Sequence, residues 1–217
     1  MRRPRTNTAL LVVLAGCPGP RAGAGGAAPS SCPTDRTVAL TSQDEVDRLS
    51  GCEALSGITI RTGAPLQLHP LRALETLTGD LVIGPTVGLD ELSLAELREV
   101  GGAIQVEGNN SLRTLLLPRL ERAGRIDVES NAALSTISMP RLESVASSLV
   151  VAGNGSLELL YVSAVTRIGK DLVIANNPKL ALVEAGKLTS VLEVRVEDNR
   201  LLPADQVEAL RAKTPAP

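Results

Sequence analysis

Pairs of aliphatic residues, separated by a single position, recur along this chain at a nearly constant interval. They are Ile58/Ile60, Leu81/Ile83, Ile104/Val106, Ile126/Val128, Leu149/Val151, Leu172/Ile174 and Val194/Val196. Their first members lie 23, 23, 22, 23, 23 and 22 residues apart. A period so constant over seven rungs marks a solenoid, in which each repeat buries its apolar face only against its neighbours. Within each trio the outer residues point inward and the middle one outward, as the strand period of two requires.

A second apolar series begins six residues after each trio, at Leu89, Leu112, Leu134, Leu157 and Leu180. From each start further apolar positions follow at +3, +5, +8 and +11, as in Leu115, Leu117, Leu120 and Ala123. A helix asks for sustained +3, +4, +7 spacing, and strand alternation breaks after +5. The pattern therefore predicts coils with two strand-like pieces each, and corners that return an aliphatic residue to the interior.

The polar residues of those corners repeat as well. Asn109, Asn131, Asn154, Asn177 and Asn199 stand three residues after the trio, with Thr86 in the first full repeat. An asparagine amide satisfies turn backbone groups and tolerates the left-handed conformation, and stacked asparagines are expected to bond one another as a structural ladder. Gly79, Gly101, Gly124 and Gly169 mark a second corner, where positive φ or close backbone approach is expected. Pro118 and Pro140 end strands at equivalent places.

Residues 32–52 read as an N-terminal cap, with a short strand at Thr37–Leu40 and a helix from Ser42 to Ser50. Ser42 and Glu45 form a capping-box pattern, and Gly51 occupies a C′ position. Residues 53–200 carry the repeats. Residues 201–212 form a C-terminal cap whose helix starts at Pro203, with Val207 and Leu210 on one face, and 213–217 are a tail. The expected fold is an all-β solenoid, a leucine-rich-repeat-like right-handed β-helix of six to seven coils with short helices at both ends.

Composition fits a narrow solenoid. Apolar residues make up 43% of the 217, yet there is no Phe or Trp and a single Tyr, Tyr161. Globular cores lean on aromatic bulk, whereas stacked coils are filled by Leu, Ile and Val.

The first sixteen residues follow another logic. Arg2, Arg3 and Arg5 precede a seven-residue apolar run, Ala9–Ala15, too short to span a bilayer. Leu14-Ala15-Gly16-Cys17 then resembles the lipobox of bacterial lipoproteins, which implies signal-peptide cleavage before Cys17, lipidation of that residue, and anchoring in the cell envelope, with the outer membrane as the expected site. Of the three cysteines, Cys32 and Cys52 are then expected to pair in an oxidising compartment while Cys17 carries lipid. Residues 17–31 read as a lipidated Cys followed by a Gly/Ala/Pro tether. Losing residues 1–16 removes three Arg and no acid, so the formal charge falls from −2 to −5. A mildly acidic surface argues against nucleic acid as a partner.

The trio, corner Asn, Leu-x-x-Leu-x-Leu second strand and preceding Gly together resemble the receptor L domain of insulin and epidermal growth factor receptor ectodomains. The likeness spans residues 32–212 and includes the Cys-x19-Cys opening. It implies a β-helix and a polypeptide-binding role. This chain departs from those receptors in having one such domain, with no Cys-rich module and no kinase.

Candidate chemistry is sparse. The only histidine, His69, aligns with the inward positions Leu92 and Leu115 and is read as the mark of an imperfect first coil. No phosphate loop, metal-spaced His/Cys set or Ser/His/Asp arrangement is present. Polysaccharide-active β-helix enzymes need clustered Asp, Lys or Arg on one outward face. Here Asp127 with Glu107 and Glu129 forms an acidic patch, read as a solvated face in preference to a cation site. The second outward row contains Leu116, Leu159 and Tyr161, apolar where water is expected, and these are the candidate partner-binding residues. The reading is a monomeric binding or structural module, with no catalytic residue, cofactor or metal, that takes an unidentified protein or surface ligand. A polysaccharide lyase or hydrolase and a purely structural envelope scaffold are the alternatives.

Overall fold

Each alternating trio forms a strand, and successive trios lie side by side in parallel. The computed structural model describes residues 32–214. The expected signal peptide (1–16), Cys17, the expected tether and residues 215–217 of the tail lie outside the described residues. The long face consists of Thr37–Leu40, Gly57–Thr62, Leu81–Thr86, Glu99–Glu107, Arg122–Glu129, Leu149–Ala152, Asp171–Ala175 and Glu193–Glu197, each paired with the next. Ile58 faces Leu81, and the column continues through Ile104, Ile126, Leu149 and Leu172 to Val194. A second column runs from Ile60 to Val196 in the same register. All these side chains are buried except Val194, which is partly buried on the last coil. The solenoid has about seven turns.

The alternation between 22 and 23 residues has a local cause in one strand pair. Val100 pairs with Ala123, but Ala103 pairs with Arg125, so Gly101 and Gly102 together oppose one residue of the next coil. This β-bulge absorbs the extra residue without shifting the apolar columns on either side of it.

The second face has five short parallel strands: Glu91–Ser93, Thr114–Leu116, Thr136–Ser138, Leu159–Tyr161 and Leu182–Glu184. They begin two residues after the apolar starts, because Leu89, Leu112, Leu134, Leu157 and Leu180 are buried corner residues that precede them. Two strand pieces per coil were expected, and the structure has three. Ala54–Leu55, Thr76–Leu77, the starts of Glu99–Glu107 and Arg122–Glu129, Ser144–Val145 and Arg167–Ile168 pair as a third column. A two-residue strand has one inward side chain and so no alternation to read.

The left-handed residue of the main corner is also displaced from expectation. It is the residue before each ladder asparagine: Gly108, Ser130, Gly153, Asn176 and Asp198, with φ of 70°, 57°, 67°, 56° and 54°. That residue turns the chain, which leaves the next one free to aim its amide inward. The glycines before the trios serve close approach, not positive φ. A Cβ on Gly124 would lie 2.5 Å from the carbonyl oxygen of Gly101 and 2.6 Å from that of Gly102.

His69 is exposed although it aligns with inward positions, and the first coil is irregular there. The first coil forms a 3-10 helix, His69–Ala73, and Leu68 and Leu71 fill the interior on either side of it. The tighter helix rotates His69 outward, where its Nε2 accepts from Arg72 Nη1 at 3.1 Å.

Both ends are covered. The N-terminal helix spans Gln43–Asp47, shorter than expected, and the chain continues in turns to Gly51 at φ 83°. Glu45 Oε2 accepts from the N–H groups of Thr41 (2.7 Å) and Ser42 (3.1 Å), which lowers its pKa. Cys32 and Cys52 are disulfide-bonded, with Cα atoms 5.6 Å apart. At the other end the helix Ala204–Arg211 buries Leu210 and partly buries Val207. A glutamine from each cap reaches the outermost coil: Gln43 exchanges hydrogen bonds with the backbone of Gln67 (3.1 and 2.8 Å), and Gln206 accepts from Val183 N–H (3.1 Å). The last long-face strand carries Glu193, Arg195 and Glu197, charges that discourage edge-to-edge pairing.

Candidate functional site

The outward residues of the five-stranded face are set by register. Inward Leu92, Leu115, Ile137, Leu160 and Val183 are buried, so their neighbours on each strand face out. One outward row runs Ser93, Leu116, Ser138, Tyr161, Glu184, and the other Glu91, Thr114, Thr136, Leu159, Leu182. Neighbouring strands are about 4.8 Å apart. Leu159 shares a strand with Tyr161, and Leu116 lies two strands away across Ser138. All three are half-buried.

Leu182 joins this patch, and sequence reasoning passed over it. It pairs directly with Leu159, so two leucines stand side by side next to Tyr161. The signal was the 23-residue offset from Leu159, hidden because Leu182 lies two residues after the apolar start Leu180, an outward position expected to be polar. Tyr161 pairs with Glu184, and the neighbouring carboxylate pushes the phenol's pKa up, through side-chain hydrogen bonding first and charge second. The result is an apolar patch with one anchored phenol, held on a rigid parallel lattice.

The acidic residues of the long face are arranged differently. Glu107 and Glu129 are register partners, and Asp127 lies two residues before Glu129. Arg125 Nε donates to both Asp127 oxygens at 2.9 and 2.6 Å. Burial, then the charges of Asp127 and Glu107, raise the pKa of Glu129. Asp127 is thus already occupied by a cation, and among the described residues no three His, Cys, Asp or Glu side chains converge as a metal site.

The corner asparagines form a continuous ladder. Asn109, Asn131 and Asn154 each donate both backbone N–H and Nδ2 to the Oδ1 of the asparagine one coil on, at 3.0–3.3 Å. Asn177 N–H donates to Asn199 Oδ1 at 3.1 Å. Each Nδ2 also donates to a trio carbonyl, from Ile83 for Asn109 to Ile174 for Asn199. Thr86 begins the ladder through a 2.7 Å bond from its hydroxyl to Asn109 Oδ1. Asn109, Asn131, Asn154 and Asn177 are fully buried, so their role is internal to the fold.

No protein-family model, curated protein or solved structure matches the chain.

Proposed function

We propose that this chain is a lipid-anchored binding module of a bacterial cell envelope, recognising a protein or other surface ligand through the outward face of the five-stranded sheet. The observation that carries the reading is the patch of Leu116, Leu159, Leu182 and Tyr161. Apolar side chains beside a tyrosine on a preorganised lattice suit a protein partner, because little conformational entropy is lost when they are covered. The lipobox resemblance at Cys17 and the Cys32–Cys52 disulfide support an exported chain. The resemblance to receptor L domains supports a polypeptide ligand.

Two measurements test this. Metabolic labelling with a fatty-acid probe is expected to mark the wild-type chain and not Cys17→Ala; label in both, or in neither, removes the anchor. Capture of an envelope partner is expected to weaken when Leu159→Ala and Tyr161→Ala are combined. Capture that is unchanged would remove the patch as the contact and favour a scaffold.

A further inference from the structure

The coil of Gly57–Thr62 adds a strand to the long face but none to the five-stranded face. Among the described residues Glu91–Ser93 pairs with Thr114–Leu116 along one edge only, because the equivalent segment of the preceding coil is the 3-10 helix His69–Ala73. Across the paired edge Asp90 C=O accepts from Arg113 N–H, and Leu94 N–H donates to Leu116 C=O. Backbone groups alternate in direction along a strand, so Glu91 and Ser93 turn theirs to the open edge.

That edge borders a groove of about 490 Å³, within the range of roughly 300–1,000 Å³ typical of ligand sites. Buried Leu66, Leu68 and Leu89 contribute its apolar lining, Arg72 stands on the first-coil side, and Asp90 and Glu91 on the other. Among the described residues none of these three charges is ion-paired.

We propose that this groove takes an extended, basic polypeptide segment, which adds to Glu91–Ser93 as a sixth strand. An open strand edge presents donors and acceptors at strand spacing, and an extended backbone matches them. Side-chain preferences follow from the alternation. The residue facing the interior meets Leu66 and Leu68 and is small and apolar. Its neighbours lie in the rows of Glu91 and Ser93. Two carboxylates against one guanidinium leave the groove net negative, so a Lys or Arg is favoured beside Glu91. The site lies at the edge of the same sheet, with Ser93 beside Leu116, and does not depend on the reading of the Tyr161 patch.

The test is selection of a displayed, proline-free hexapeptide library on the full chain. Enriched sequences are expected to alternate apolar residues with Lys or Arg, and their binding is expected to slow amide exchange at Glu91 and Ser93. Glu91→Lys, an exposed change, should lower affinity at least about tenfold and turn the selection toward acidic peptides. Ser93→Pro should abolish binding while the melting temperature is kept. Absence of enrichment, protection of amides elsewhere, or affinity untouched by Glu91→Lys would each overturn the proposal. So would slow exchange at Glu91 and Ser93 in the free chain, which would mean that the edge is already covered by residues of its own N-terminus.

Discussion

Asn154 donates its backbone N–H to Oδ1 of Asn177 at 3.0 Å, and its own Oδ1 accepts from Asn131 one coil earlier. Its Nδ2 meets the carbonyl of Val128 at 2.9 Å. Asn154→Ala would orphan the Asn131 N–H in a dry interior and remove the second donor from Val128 C=O. At about 1–3 kcal/mol for a stranded group, a loss of about 1–3 kcal/mol is expected in urea unfolding. A free energy equal to wild type would remove the ladder as a source of stability.

Gly124 lies under the backbone of Gly101 and Gly102, whereas nothing lies within 4 Å of a Cβ on Gly155. Gly124→Ala must push two coils apart and is expected to cost about 1–3 kcal/mol, the range for overpacking. Gly155→Ala is the matched control and should be close to neutral. Equal denaturation midpoints for the two variants would contradict the close-approach reading.

Glu129 keeps its proton to higher pH in the folded chain, because burial and then Asp127 and Glu107 oppose its charge. Below the unfolded value both states are protonated and no penalty exists; as pH rises through the folded value the penalty becomes complete. Glu129→Gln is therefore expected to stabilise the protein at neutral pH, and the difference should vanish below about pH 4. A constant difference across that range would show that charge is not the cause.

Tyr161 is the only tyrosine, so phenolate absorbance reports it alone. Its ionisation midpoint should lie above the usual value of about 10 and return toward it in Glu184→Gln. Because the folded phenol resists ionisation, stability falls as pH rises beyond 10 and is unaffected at neutral pH. A midpoint that does not move in Glu184→Gln would place the carboxylate away from the phenol.

Cys32 and Cys52 close a separation of 20 residues between the entry to the cap and the first coil. Reduction is expected to lower stability by about 3 kcal/mol. Melting in the presence and absence of dithiothreitol measures this, and an unchanged transition would mean that the cap holds without its clip.

Much of the architecture is written in the chain because a solenoid meets near-copies of itself. Leu172 and Ile174 pack against Leu149 and Val151 for the same reason that they resemble them, so local alternation and the 22–23-residue period suffice to name the columns, the corner asparagines and the two caps. Tertiary structure decided what depends on departures from that repeat. His69 lies outward because the first coil tightens into a 3-10 helix around Leu68 and Leu71. The left-handed residue precedes the asparagine because only then does the amide reach the trio carbonyl. Leu182 joins Leu159 and Tyr161 only when coils are laid in register, and the open edge at Glu91–Ser93 exists only because the coil before it fails to extend. A repeat specifies how coils stack; where one coil breaks the pattern, the partners that its neighbours lose are settled by geometry in three dimensions.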